Sequence, residues 1–125
     1  EKLLAYAKMN GIEVVIKKQN GEIQGASMGG SIEIDPGAGT KTWLHELAHE
    51  KLGHHLQQIN LDRAGRELQA ESVAYIVAKY FGLEGLQCPN YIALFGLSRQ
   101  DFAFSLIKIQ DVARDIINAI EFPSA

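Results

Sequence analysis

At 125 residues, with 46 % hydrophobic and 22 % charged side chains, the chain has the composition of one globular domain with a modest core, and not of a disordered tail. Its 12 basic and 15 acidic residues give a net charge of -3, and Lys17-Lys18 is the one adjacent basic pair, which argues against nucleic-acid binding by this domain alone. The single Cys88 excludes an internal disulfide and a Cys-rich zinc site, and fits a reducing, cytoplasmic compartment. No apolar run approaches the ~20 residues that span a bilayer, and no basic-plus-apolar leader opens the chain, so membrane association is not expected.

Read in chain order, Leu3, Leu4, Ala7 and Lys8 have helical spacing, stopped by Asn10-Gly11. The chain opens at Glu1 inside this helical pattern, as one domain of a longer protein would. Residues 12–17 are β-branched and predict a strand. Residues 21–26 and 31–34 predict two more, joined through Ser27-Met28-Gly29-Gly30 as a hairpin, and Asp35-Pro36-Gly37 ends the sheet. From Thr40 the period turns helical, with Leu44, Leu47, Ala48 and Leu52 facing a core and Gly53 as the stop.

Residues 54–62 are polar and predict a loop. A longer helix follows over 63–81, closed by Gly82. Asn90 caps a short helical turn, and Ser98 with Asp101 forms a capping-box pattern for a last helix reaching Ile120. Phe102, Leu106, Ile109, Ala113, Ile116 and Ile120 read as its core stripe, and Trp43 and Cys88 as packing residues. The outline is α+β: a helix, a small sheet, then helices.

The chemistry concentrates in His45-Glu46-Leu47-Ala48-His49, an HExxH pattern. Residues four apart on a helix are neighbours, with Cβ atoms roughly 5–6 Å apart, so both imidazoles can reach one metal ion. Zinc accepts neutral imidazole at about 2.0–2.1 Å and leaves a position open for water in catalytic sites. Glu46 projects about 100° around the helix, away from the metal but within reach of such a water, as a general base. In a chain of this composition the pattern arises by chance roughly 0.01 times, so its placement on an amphipathic helix matters as much as the letters.

Two histidines need a third protein ligand, and the 63–81 helix offers Glu67 and Glu71. With Gln69, Ser72 and Lys79 marking the solvent arc, Glu71 falls among Ala64, Ala74 and Ala78, where a carboxylate needs a cation. Glu71 is the expected third ligand. Glu67, one turn earlier, is the alternative ligand or an acceptor for a ligand histidine. Tyr75, a turn after Glu71, is a weaker candidate donor to an oxyanion, with packing the commoner role. His54 and His55 follow the helix stop and read as surface residues, one of which could line a cleft.

The stretch TWLHELAHEKLGH, preceded by SIEID and followed by RELQAESVAYIVA, resembles the ImmA/IrrE-like zinc peptidases of mobile elements and bacterial regulators. The ending, from Asn90 to Ile120, resembles the C-terminal metallopeptidase-like part of ArdC-type antirestriction proteins. The resemblance implies a compact gluzincin (zincin-like) domain: a small antiparallel sheet on an HExxH helix and a glutamate-bearing helix, with the strand before the HExxH helix lining a peptide-binding cleft. It implies Zn²⁺ on His45, His49 and Glu71, with Glu46 catalytic, hydrolysing a protein or peptide substrate tied to regulation or defence. DNA contact would come through another domain. The rival expectation is a non-hydrolytic, zinc-stabilised module that binds a protein or DNA-associated partner.

Overall fold

The computed structural model describes residues 2–56 and 61–122. Four helices and a three-stranded sheet make up the described part, so the α+β class holds. Helix α1 (Lys2–Met9) ends at Gly11, whose φ of 70° lets Ile12 turn back and donate to the Ala7 carbonyl at 2.9 Å. Strands β1 (Glu13–Ile16), β2 (Gly25–Ser27) and β3 (Ser31–Ile34) follow.

The sheet is mixed rather than antiparallel, in the order β1-β3-β2. The chain leaves β1, crosses to the far edge as β2, and hairpins back so that β3 inserts between them. This path makes β3 parallel to β1, with Val14 opposite Ile32, and antiparallel to β2, with Ser27 opposite Ile32. The hairpin is tight because Gly29 and Gly30 take φ of 84° and 93°, the left-handed pair that suits strand twist. The strand preceding the HExxH helix is therefore central, and β2 forms the edge beside that helix.

Helix α2 (Thr40–Lys51) carries the motif and ends where Gly53, φ 72°, lets the His54 amide donate to the His49 carbonyl. Helix α3 (Arg63–Tyr80) is capped by the Asp62 side chain on the Gly65 amide and packs mainly on α2 and α4. A short 3₁₀ turn (Tyr91–Leu94) capped by Asn90 leads to α4 (Arg99–Glu121), whose Ser98 accepts from the Asp101 amide. Leu44, Leu47 and Ala48 of α2 share one core with Ala70, Val73, Ala74, Val77 and Ala78 of α3 and with Ile109, Ala113 and Ile116 of α4. Small alanines on α3 leave room for close helix contact, and each fully buried Leu or Ile contributes about 1.5–3 kcal/mol.

Several expected positions shift. Gln69 and Ser72 are buried, not on a solvent arc, because α3 lies between α2 and α4 and both side chains find partners. Leu106 on the α4 stripe is exposed while Val112 is buried. Cys88 is exposed in a polar stretch without helix or strand. Of the 54–62 loop, residues 57–60 lie outside the described residues.

Candidate metal centre

Helix α2 sets His45 and His49 one turn apart, and their Nε2 atoms face each other at 3.1 Å. Glu67 reaches over from α3: its carboxylate lies 3.2 Å from His45 Nε2 and 2.9 Å from His49 Nε2. One ligand atom from each of these three residues falls in a group no more than 4.8 Å across. A tetrahedral ion with bonds of about 2.0–2.1 Å spaces its ligand atoms about 3.3 Å apart, close to this spacing. Two ring nitrogens that both aim lone pairs at one point repel each other, and a cation between them removes that cost.

Glu71, the expected third ligand, lies outside that group. Its Oε1 lies 3.1 Å from His45 Nδ1, on the side of the ring away from Glu67, and its other oxygen lies 3.6 Å from Lys41 Nζ. Glu67 is thus the carboxylate beside both Nε2 atoms, and Glu71 the one beside His45 Nδ1. The one-turn offset decides this: Glu67 lies level with both Nε2 atoms, whereas Glu71 lies level with His45 alone. His45 Nδ1 is buried, and Glu71 sits off the axis of a full hydrogen bond from it.

Glu46 stands outside that group, is 8 % exposed, and borders both hollows that open beside it. Burial raises its pKa, the carboxylates of Glu67, Glu50 and Glu71 add to the rise, and His45 opposes it. Burial works against protonating His45, but Glu71, Glu46 and Glu67 outweigh it and its pKa is raised. Burial lowers the His49 pKa to about 4, with Glu67 opposing the drop and the neighbouring histidines adding to it. Contact with His45 holds Glu71 below the usual carboxylate range against its partial burial.

The hollows, of about 490 and 580 Å³, meet at Ile23, Gly25, His45 and Glu46. The edge strand β2 forms their shared wall. Gly25 permits this approach: a Cβ there would come 2.9 Å from Thr42 Cγ2 and 3.0 Å from Glu46 Cγ. Thr42 also donates from Oγ1 to Gln24 Oε1 at 3.1 Å, tying the start of β2 to α2.

Glu50 is a residue that sequence reasoning missed. It stands near the C-terminal end of α2, where the helix dipole disfavours an anion, yet its side chain is only 6 % exposed. It accepts from the amides of Gly29 and Gly30 at 2.9 and 2.7 Å and from the Ser27 hydroxyl, which also lies 2.8 Å from His55 Nε2. Those donors offset its desolvation and pin the β2–β3 turn to α2. The Gly29-Gly30 pair was a legible hint of converging amides. His54, expected at the surface, is 9 % exposed, with Nδ1 2.8 Å from His49 Nδ1. Tyr75 is half-buried on α3 and lines neither hollow.

No family model matches the chain, and no solved structure matches it. The chain is similar to an uncharacterized protein of Bacillus anthracis, pXO2-81, at 32 % identity over 83 residues. That alignment covers 62 % of this chain and 14 % of the Bacillus protein. Among the described residues, no helix is long and apolar enough to cross a membrane.

Proposed function

We propose that this chain is a zinc-dependent peptidase domain of the zincin type that hydrolyses a peptide bond in a protein substrate. The observation that carries this reading is the union of two histidine Nε2 atoms and the Glu67 carboxylate with a buried Glu46 on the rim of an open cleft. His45, His49 and Glu67 would hold the ion, with Glu71 orienting His45 from behind. Zinc so held supplies a Lewis acid that acidifies water and polarises a carbonyl. Glu46 takes the proton lost by water as its oxygen attacks the carbonyl carbon, then passes it to the amine as the C–N bond breaks. The free edge of β2 offers backbone groups to an extended peptide laid along the cleft. The resemblance to ImmA/IrrE-like and ArdC-type proteins points to a regulator or defence-related protein as substrate.

A structural zinc site is closed by four protein ligands, whereas among the described residues this group has three and opens on two hollows, with Glu67 half exposed. This favours catalysis over a purely zinc-stabilised binding module, and Glu46→Gln separates the two. The amide cannot accept a proton, so hydrolysis of a protein substrate should fall ~10²–10⁴-fold while zinc content stays at the wild-type level. His49→Ala should lose both. Full biological activity in Glu46→Gln together with none in His49→Ala would mean that the zinc is structural. In the metal-free protein Glu46 should titrate above the ordinary carboxylate range, because burial and the Glu67, Glu50 and Glu71 carboxylates raise its pKa.

A further inference from the structure

The buried side of the metal centre holds a line of polar side chains to which the reaction assigns no part. His49 Nδ1 lies 2.8 Å from His54 Nδ1, and His54 Nε2 lies 2.7 Å from Gln69 Oε1. Gln69 Nε2 donates to Ser105 Oγ at 2.6 Å. The four residues come from α2, the turn after it, α3 and α4, and none is more than 9 % exposed. Such a line is costly in a core unless every group is satisfied, and a leucine at position 69 would fill similar volume without that demand.

With the Gln69 amide placed nitrogen toward Ser105 and oxygen toward His54, the direction of the protons along the line follows. An amide donates only from nitrogen and accepts only at oxygen, and a neutral imidazole carries one N–H. With Gln69 Nε2 given to Ser105, Oε1 requires a proton on His54 Nε2. His54 Nδ1 is then a bare acceptor and requires a proton on His49 Nδ1. His49 Nε2, the nitrogen facing His45 and Glu67, is left with its lone pair. Turning the Gln69 amide over moves every proton one place, and His49 would present an N–H that no cation can use.

Resting on the metal centre proposed above, we infer that Ser105, Gln69 and His54 are positioning residues that hold His49 in its Nδ1–H tautomer, ready to ligate before a metal arrives. Partners behind a ligand imidazole are typically worth about 10–100-fold in metal affinity. The line also couples the centre to α4, an element that contributes no ligand of its own.

The test is a zinc competition titration of metal-stripped wild type, Gln69→Leu, His54→Leu and His54→Asn, with melting of each metal-free protein and ¹⁵N imidazole spectra of metal-free wild type at pH 8. Gln69→Leu and His54→Leu should bind zinc about 10–100-fold more weakly. His54→Asn should recover most of that loss, because its side-chain oxygen can accept from His49 Nδ1. The spectra should show the His49 proton on Nδ1 and the His54 proton on Nε2. A His49 proton on Nε2 would overturn the inference, as would variants that bind like wild type or lose affinity only in step with melting temperature. Zinc binding by wild type with unchanged variants overturns the relay alone; a wild type that takes up no zinc overturns the metal centre as well.

Discussion

The two histidines of α2 are held by opposite means. On the inner side, His49 is backed by neutral groups, His54 and then Gln69, in a region where burial drives both imidazoles toward the uncharged form. On the outer side, His45 is backed by the Glu71 carboxylate, itself 40 % exposed and paired with Lys41 across 3.6 Å. A buried carboxylate behind His49 would have cost several kcal/mol of desolvation, whereas water shares that cost behind His45. The inner partner can therefore only orient, while the outer one also raises the basicity of its imidazole. The inner side should respond to shape and hydrogen-bond direction, and the outer side to charge and salt.

The comparison can be broken first at the wall both sides share. Gly25→Ala puts a methyl against Thr42 and Glu46 and the Glu33 carbonyl, so β2 must move off α2. A stability loss of about 1–3 kcal/mol in denaturant unfolding is expected, with peptide hydrolysis falling by more than zinc affinity. Unchanged hydrolysis would show that β2 does not line the working cleft. Next, Glu71→Ala should weaken zinc about 10–100-fold, and Glu71→Gln by less, because the amide keeps an oxygen beside His45 Nδ1. The smallest effect is expected at Lys41. Its exposed pairing with Glu71 is worth under about 1 kcal/mol, so Lys41→Ala should change zinc affinity only slightly, and less still in high salt. A salt-sensitive Gln69→Leu or a salt-insensitive Glu71→Ala would erase the distinction between the two sides.

Much of the scaffold was legible because local chemistry fixes it. Gly11, Gly53 and Gly82 stop helices, Ser98 and Asn90 cap them, and the Gly29-Gly30 pair turns the hairpin. The HExxH geometry follows from helix spacing alone, and the structure brings His45 and His49 together accordingly. What failed to read was non-local. A helical wheel treats Gln69 as polar and therefore outward, but α4 covers that face and Ser105 supplies a partner 36 residues away. The same wheel cannot tell Glu67 from Glu71, one turn apart, because the choice depends on how far α3 slides along α2. The parallel pairing of β1 with β3 depends on a crossover that strand patterns do not encode. Glu50 reads as a surface acid until the amides of Gly29 and Gly30 are seen to converge on it.

The most direct test of the metal centre is the zinc content and affinity of wild type, Glu67→Ala and Glu71→Ala, measured side by side on purified protein. Wild type should hold about one zinc per chain, since three ligands from two packed helices leave one position open. Glu67→Ala should lose it at micromolar protein, and Glu71→Ala should keep it at reduced affinity. Zinc retained by Glu67→Ala and stripped by Glu71→Ala would reverse the ligand assignment, and a wild type without affinity for zinc would contradict the account at its root.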